Sequence, residues 1–260
     1  VTAPTLPPVL PVGDLVRRSY GALLDNSDGL VRIGLVWLLV PLAIQVAATA
    51  LGEGGLLLSL IADLISLVGL SAIAVAWHRH VLLGEPLRGP IAPVNGRVLK
   101  YLLFGLVVAI VAAIPGLVIL TASSLISGSP GGALSTFALL AGAIAAVLVF
   151  ARLQLVFPGT AVGDPVAGLG GSWRLTQGNG VRLFVGILLS IVPVLAAVLV
   201  AQLIAGMFQA AGAEKLGAFL GLVAATAGGW VQAPLVAGFL SYAYLFFREV
   251  APPSIMADQG

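Results

Sequence analysis

The chain has 260 residues, of which 60% are hydrophobic and only 8% charged; its net charge is +2 and it has no cysteine. Soluble domains carry about 25% charged residues, so a fold this poor in charge exposes apolar surface that lipid must cover, which makes this an integral membrane protein. The missing cysteines exclude disulfides and thiolate chemistry, and twelve bases against ten acids, without interleaved stacking aromatics, exclude nucleic acid as a partner.

Segment 1–13 is rich in proline, which predicts an extended lead-in, and it lacks the basic-then-apolar layout of a secretory signal. Beyond it, Leu15, Tyr20, Leu23 and Leu24 recur at helical spacing, with Asp14 as the expected N-cap. The pattern predicts an amphipathic helix in the headgroup layer, its apolar face toward lipid and Arg17 and Arg18 toward phosphates. Tyr20 suits the same interfacial depth.

A spanning helix needs about 20 apolar residues. Six windows qualify, at 33–51, 56–77, 98–126, 133–157, 183–209 and 216–247. Between them, "LGEGG" at 51–55, "SGSPGG" at 127–132 and "AGAEK" at 211–215 are too short to be anything but hairpin turns. The longer connections, 78–97 and 158–182, hold most of the polar residues. The six spans make one membrane domain over 14–250, followed by a tail at 251–260.

In a six-span arrangement eleven of the twelve basic residues fall on one side, and Lys215 alone falls on the other. The positive-inside rule then predicts that this side and both termini are cytoplasmic. The chain also repeats. Ser19–Tyr20 and Ser172–Trp173 each open a polar segment that runs through Asn26 or Asn179 to Arg32 or Arg182, followed by an apolar run holding Pro41 or Pro193. A weaker copy, "VNGRVLKYLLFG", leads to Pro115. The expected fold is therefore all-α and polytopic: six transmembrane helices as three parallel-repeat hairpins, entered through cytoplasmic interfacial helices.

The block "RLQLVFPGTAVGDPVAGLGGSWRLTQGNGVRLF", residues 152–184, carries Arg152, Pro158, Ser172, Trp173, Leu175, Thr176, Gly178, Asn179 and Arg182. In these residues, and in "WHRHVLLGEP" at 77–86, the chain resembles the multi-span membrane domain attached to some bacterial glycerophosphodiester phosphodiesterases, and related uncharacterised inner-membrane proteins. The resemblance implies a six-span fold in a bacterial inner membrane. It implies no activity, because no segment is long or polar enough to hold the phosphodiesterase itself.

Candidate site residues fall into three groups. His78, Arg79, His80, Trp173, Arg174 and Arg182 join Arg17, Arg18 and Tyr20 as interfacial lipid contacts. His78 and His80 stand two apart, which on a continuing helix points the imidazoles away from each other, so no metal site is expected. Within the spans stand Gln45, Asp63, Gln202 and Gln232. Asp63 lies about 10 Å deep, seven residues into its span; either it bonds Gln45 across the hairpin as helix–helix glue or it couples protons or ions. Gly217, Gly221, Ala225 and Gly229 recur every four residues as a close-approach stripe. No catalytic triad, phosphate loop or carboxylate pair stands in the chain, so no enzyme and no cofactor are expected. The sequence points to an accessory or organising subunit of a membrane assembly, with membrane lipids and a homo-oligomer or larger complex as partners. The alternative is a permease or lipid-handling protein, which needs the four intramembrane polar residues to converge.

Overall fold

In hydrocarbon every backbone N–H and C=O must be satisfied within its own segment, so long apolar runs fold as helices. The computed structural model describes residues 9–127, 133–164 and 168–250. It contains α1 (Val12–Asp25), α2 (Ser27–Ala50), α3 (Leu56–Leu83), α4 (Gly96–Ser127), α5 (Ala133–Leu153), α6 (Val156–Val162), α7 (Leu169–Leu175), α8 (Gly180–Ala210) and α9 (Glu214–Val250). Six segments are long and apolar enough to cross a bilayer: Ser27–Ala50, Leu56–Leu83, Gly96–Ile126, Ser135–Val162, Gly180–Ala210 and Glu214–Glu249. The protein is an all-α polytopic membrane protein. Residues 1–8 of the proline-rich lead-in, the tail at 251–260 and most of the turn at 127–132 lie outside the described residues.

Consecutive long helices pack against each other as α2–α3, α4–α5 and α8–α9, and α9 also packs on α1, α2, α3 and α6. The helices run unbroken through Pro41, Pro115, Pro193 and Pro234. Small residues let each pair close. A Cβ on Gly69 would lie 2.6 Å from the Trp37 ring, and one on Gly142 would lie 3.0 Å from the Gly116 backbone.

The buried apolar side chains gather toward one end, where the N-termini of α2, α4 and α8 meet the C-termini of α3, α5 and α9. This is the basic end. One cluster joins Leu10, Leu15, Leu155, Leu183, Phe239 and Phe247, and a second joins Leu30, Ile33, Ile73, Trp77 and Val98. At the other end of α4–α5 the outward side chains, among them Leu117, Leu125, Phe137 and Leu140, are exposed.

Four expectations need correction. First, α1 starts before Asp14: Pro11 is the N-cap and Asp14 sits in the first turn. The reason lies upstream, where the Leu10 N–H donates to Asn179 Oδ1 at 3.0 Å and anchors the chain. Second, α1 packs on α8 and α9 through buried Leu15 and Ser19, while Leu24 of the expected apolar face stays exposed. Ser19 is fully buried and donates to the Leu235 carbonyl at 2.6 Å, across from Gly238, whose Cβ would meet the Ser19 hydroxyl. Third, the fourth span does not leave the bundle at 157: after a turn at 154–155, α6 tucks its apolar residues against α3, α4 and α9. Fourth, short helices precede α2 and α8, but α4 is preceded by the irregular stretch 84–95.

Candidate functional site

The "SWRLTQGN" stretch folds as α7 and the turn into α8, and it wraps the end of α5. The Ser172 hydroxyl donates to the Arg152 carbonyl at 2.7 Å, and the Arg152 guanidinium returns a bond to the Trp173 carbonyl, also at 2.7 Å. The same guanidinium stacks 3.5 Å over the Trp173 ring. The buried Thr176 hydroxyl donates to the Ser172 carbonyl at 2.9 Å, and Gly180 leaves room for the Arg152 stem. Asn179 is the N-cap of α8 with φ −118° and ψ 8°, and Asn26 is the N-cap of α2 with φ −121° and ψ 19°. The two asparagines therefore occupy the same backbone setting, one turn of chain before a rising span.

Of the expected lipid contacts, Arg17, Arg18, Trp173, Arg174 and Arg182 are exposed. Tyr20 is not directed at headgroups: its hydroxyl donates to the Ser190 carbonyl at 2.9 Å, and partial burial pushes its pKa above the ordinary phenol value. The "WHRH" run departs furthest. Because α3 continues to Leu83, His78 faces inward and is fully buried. Its Nδ1 lies 2.8 Å from Ser241 Oγ, and its Nε2 lies 3.4 Å from the Tyr101 hydroxyl. The Ser241 hydroxyl donates to the Ala237 carbonyl one turn back, at 2.8 Å. Serine can then only accept from Nδ1–H, which leaves Nε2 to accept from Tyr101. The contact ties α3 to α9.

Arg79 also turns inward. Its Nε donates to Glu85 Oε2 at 2.7 Å, its Nη2 makes a second, short bond to Glu85 Oε1, and its Nη1 reaches the Ala161 carbonyl at 3.0 Å. These bonds hold the Glu85 carboxyl below the usual carboxylate range. His80 Nδ1 lies 2.7 Å from the Glu85 carbonyl, so it closes the same turn. Nearby, the Tyr244 hydroxyl makes a short bond to Asp164, which also pairs with Arg248 at 3.4 Å. Sequence reasoning missed Tyr101, Ser241, Asp164 and Tyr244. Tyr101, Ser241 and Tyr244 are polar groups within apolar spans, and that intramembrane polarity was the available signal; Asp164 lies in the polar connection after α6.

The four intramembrane polar residues do not converge. Gln202 Nε2 donates to the Gly221 carbonyl at 2.7 Å, within the third hairpin. Gln232 is half-buried on α9 and does not line the cavity that holds Gln45 and Asp63. Gln45 and Asp63 do share a cavity, yet the expected bond between them is replaced by one from Gln45 Nε2 to Ser59 Oγ at 3.4 Å. The reason is hairpin register: Gly55 packs on Ala48 and Gly69 on Trp37, so Ser59 stands opposite Gln45, and Asp63 falls one turn deeper, opposite Pro41. The glycine stripe is also shifted. Gly217 and Gly221 abut α8, but a Cβ on Gly229 would meet nothing within 4 Å, and Gly228 takes the next contact, against Val198. A strict four-residue step overshoots the helical repeat by about 40° each time, so the seam steps back from 229 to 228.

No model of a known protein family, no curated protein and no solved structure matches the chain.

Proposed function

We propose that the protein is a non-enzymatic subunit of a bacterial inner-membrane assembly, accessory or organising in role, with its basic end and both termini in the cytoplasm. The observation that carries this reading is the use of polar side chains inside the bundle. Tyr20–Ser190, Ser19–Leu235, His78–Ser241, Gln202–Gly221 and Trp230–Gly34 each tie two of the protein's own helices together. Interhelical bonds of this kind contribute about 0.6–2 kcal/mol each, and one of them engages Gln202, a residue that a transport path through the four candidates would need. The exposed apolar faces of α4 and α5 leave ample surface for another subunit. The resemblance of 152–184 to the membrane domain of bacterial glycerophosphodiester phosphodiesterases supports the inner-membrane setting.

The test is gentle detergent extraction from native membranes, followed by mass measurement and identification of co-purifying chains. A stable homo- or hetero-oligomer is expected. A strictly monomeric particle would overturn the reading.

A further inference from the structure

We propose that the cavity bounded by α2, α3 and α9 binds an organic ammonium ion, with Asp63 as its counter-charge. The proposal stands apart from the accessory role and does not need it. The cavity has a volume of about 290 Å³, and its walls include Trp37, Gln45, Asp63, Ser66, Thr226 and Trp230. Ligand pockets begin at about 300 Å³, so the space suits a small organic ion.

Its polar chemistry is one-sided. The donors on its walls are nearly all engaged elsewhere: Trp37 Nε1 with the Ala92 carbonyl at 3.1 Å, Trp230 Nε1 with the Gly34 carbonyl at 3.0 Å, Thr226 with the Leu222 carbonyl at 2.9 Å, and Gln45 Nε2 with Ser59. What remains toward the cavity, apart from the Ser66 hydroxyl, is acceptor. Gln45 Oε1 is buried without a hydrogen-bond partner, and Asp63 is exposed and makes no hydrogen bond or ion pair among the described residues. No described Lys, Arg or His lines the space. A carboxylate inside a span and an unsatisfied amide oxygen are both costly unless a cation meets them.

The walls select the kind of cation. A bare metal ion needs about six oxygen ligands, which one carboxylate, one amide oxygen and two hydroxyls do not supply. Indole faces favour alkylammonium ions. Both indoles are held rigidly, Trp37 against Gly69 and Trp230 against Gly34, where any Cβ would fall within 2.7 Å of the rings. Lys215 lines a separate crevice that shares Leu222 with this cavity.

The test uses the whole chain in lipid nanodiscs, titrated with N-methylpyridinium, a cation that quenches indole fluorescence. Two of the four tryptophans line the cavity, so saturable quenching of part of the emission is expected, relieved by tetramethylammonium but not by sodium at equal ionic strength. Asp63→Asn should weaken the binding at least tenfold while leaving the melting temperature within a few degrees of wild type. Linear, unsaturable quenching of the wild-type protein, displacement by sodium, or unchanged binding in a folded Asp63→Asn variant would each overturn the proposal. The competition arm needs no variant, so it decides the matter even if Asp63→Asn does not fold.

Discussion

The Arg152 guanidinium lies 3.5 Å over the Trp173 ring while its Nη2 donates to the carbonyl of the same tryptophan. One side chain thus clamps α7 to the end of α5 through both the ring and the main chain of Trp173. A lysine in this place keeps the charge but loses the planar fork and most of the stacking. A cation–π contact at a partly exposed site is worth about 0.5–1 kcal/mol, and a hydrogen bond from a charged group about 1.5–3 kcal/mol. Arg152→Lys should therefore lower stability by about 1–2 kcal/mol, read as a lower Tm by scanning fluorimetry in detergent. Trp173→Ala should cost less, because the Arg152 bond to the main chain at 173 survives. Equal losses would show that the ring, and not the fork, carries the clamp.

Gly186 and Gly206 stand on the same helix and should respond in opposite directions to alanine. A Cβ at 186 would fall 2.0 Å from the ring of Phe239, which is fully buried, whereas one at 206 would meet nothing within 4 Å. Overpacking costs about 1–3 kcal/mol, and replacing an interior helical glycine by alanine gains up to about 1 kcal/mol. Gly186→Ala should melt lower than wild type and Gly206→Ala no lower. The same direction of shift in both would mean that α8 and α9 do not meet at Phe239.

Glu85 gives the stability a pH dependence whose sign follows from its lowered pKa in the fold. A carboxyl bound more tightly as the anion in the native state stabilises it fully above the unfolded pKa, near 4.5. That contribution disappears as pH falls through the lower, folded value. The side chain is 46% exposed, so the effect is modest. Glu85→Gln should lower Tm at pH 7, and the difference from wild type should shrink when both are melted below pH 4. A gap that persists in acid would point to lost packing and not to the Arg79 pair.

The orientation is tested with single introduced cysteines, since the chain has none of its own. Ser172, at the centre of the polar block, is fully buried and would not label. Gln177 and Glu214 are exposed at opposite ends of the bundle and serve instead. In sealed inside-out vesicles an impermeant maleimide should reach Gln177→Cys and not Glu214→Cys. Labelling of Glu214→Cys alone would invert the orientation, and labelling of both would break the six-span arrangement.

The membrane class, the six spans and the positions of the hairpin turns were legible in the sequence because they are one-dimensional properties. Hydropathy over about 20 residues decides whether a segment enters lipid, and no tertiary contact can reverse that choice. The windows at 56–77 and 133–157 are recovered as α3 and as α5 with α6, each extended at the basic end by residues that look interfacial in sequence but are covered by protein. What the tertiary structure alone decided is which partner each polar side chain takes. His78 and Tyr20 read as headgroup ligands because their neighbours in sequence are basic; in space they face Ser241 and Ser190, more than 160 positions away. Gln45 meets Ser59 instead of Asp63 because hairpin register moves a partner by a full helical turn, a displacement that matching depths along two helices cannot resolve. Polarity at a given depth is a property of the chain, but the direction in which a side chain points there depends on helix rotation, and only the packing of the helices against one another sets that.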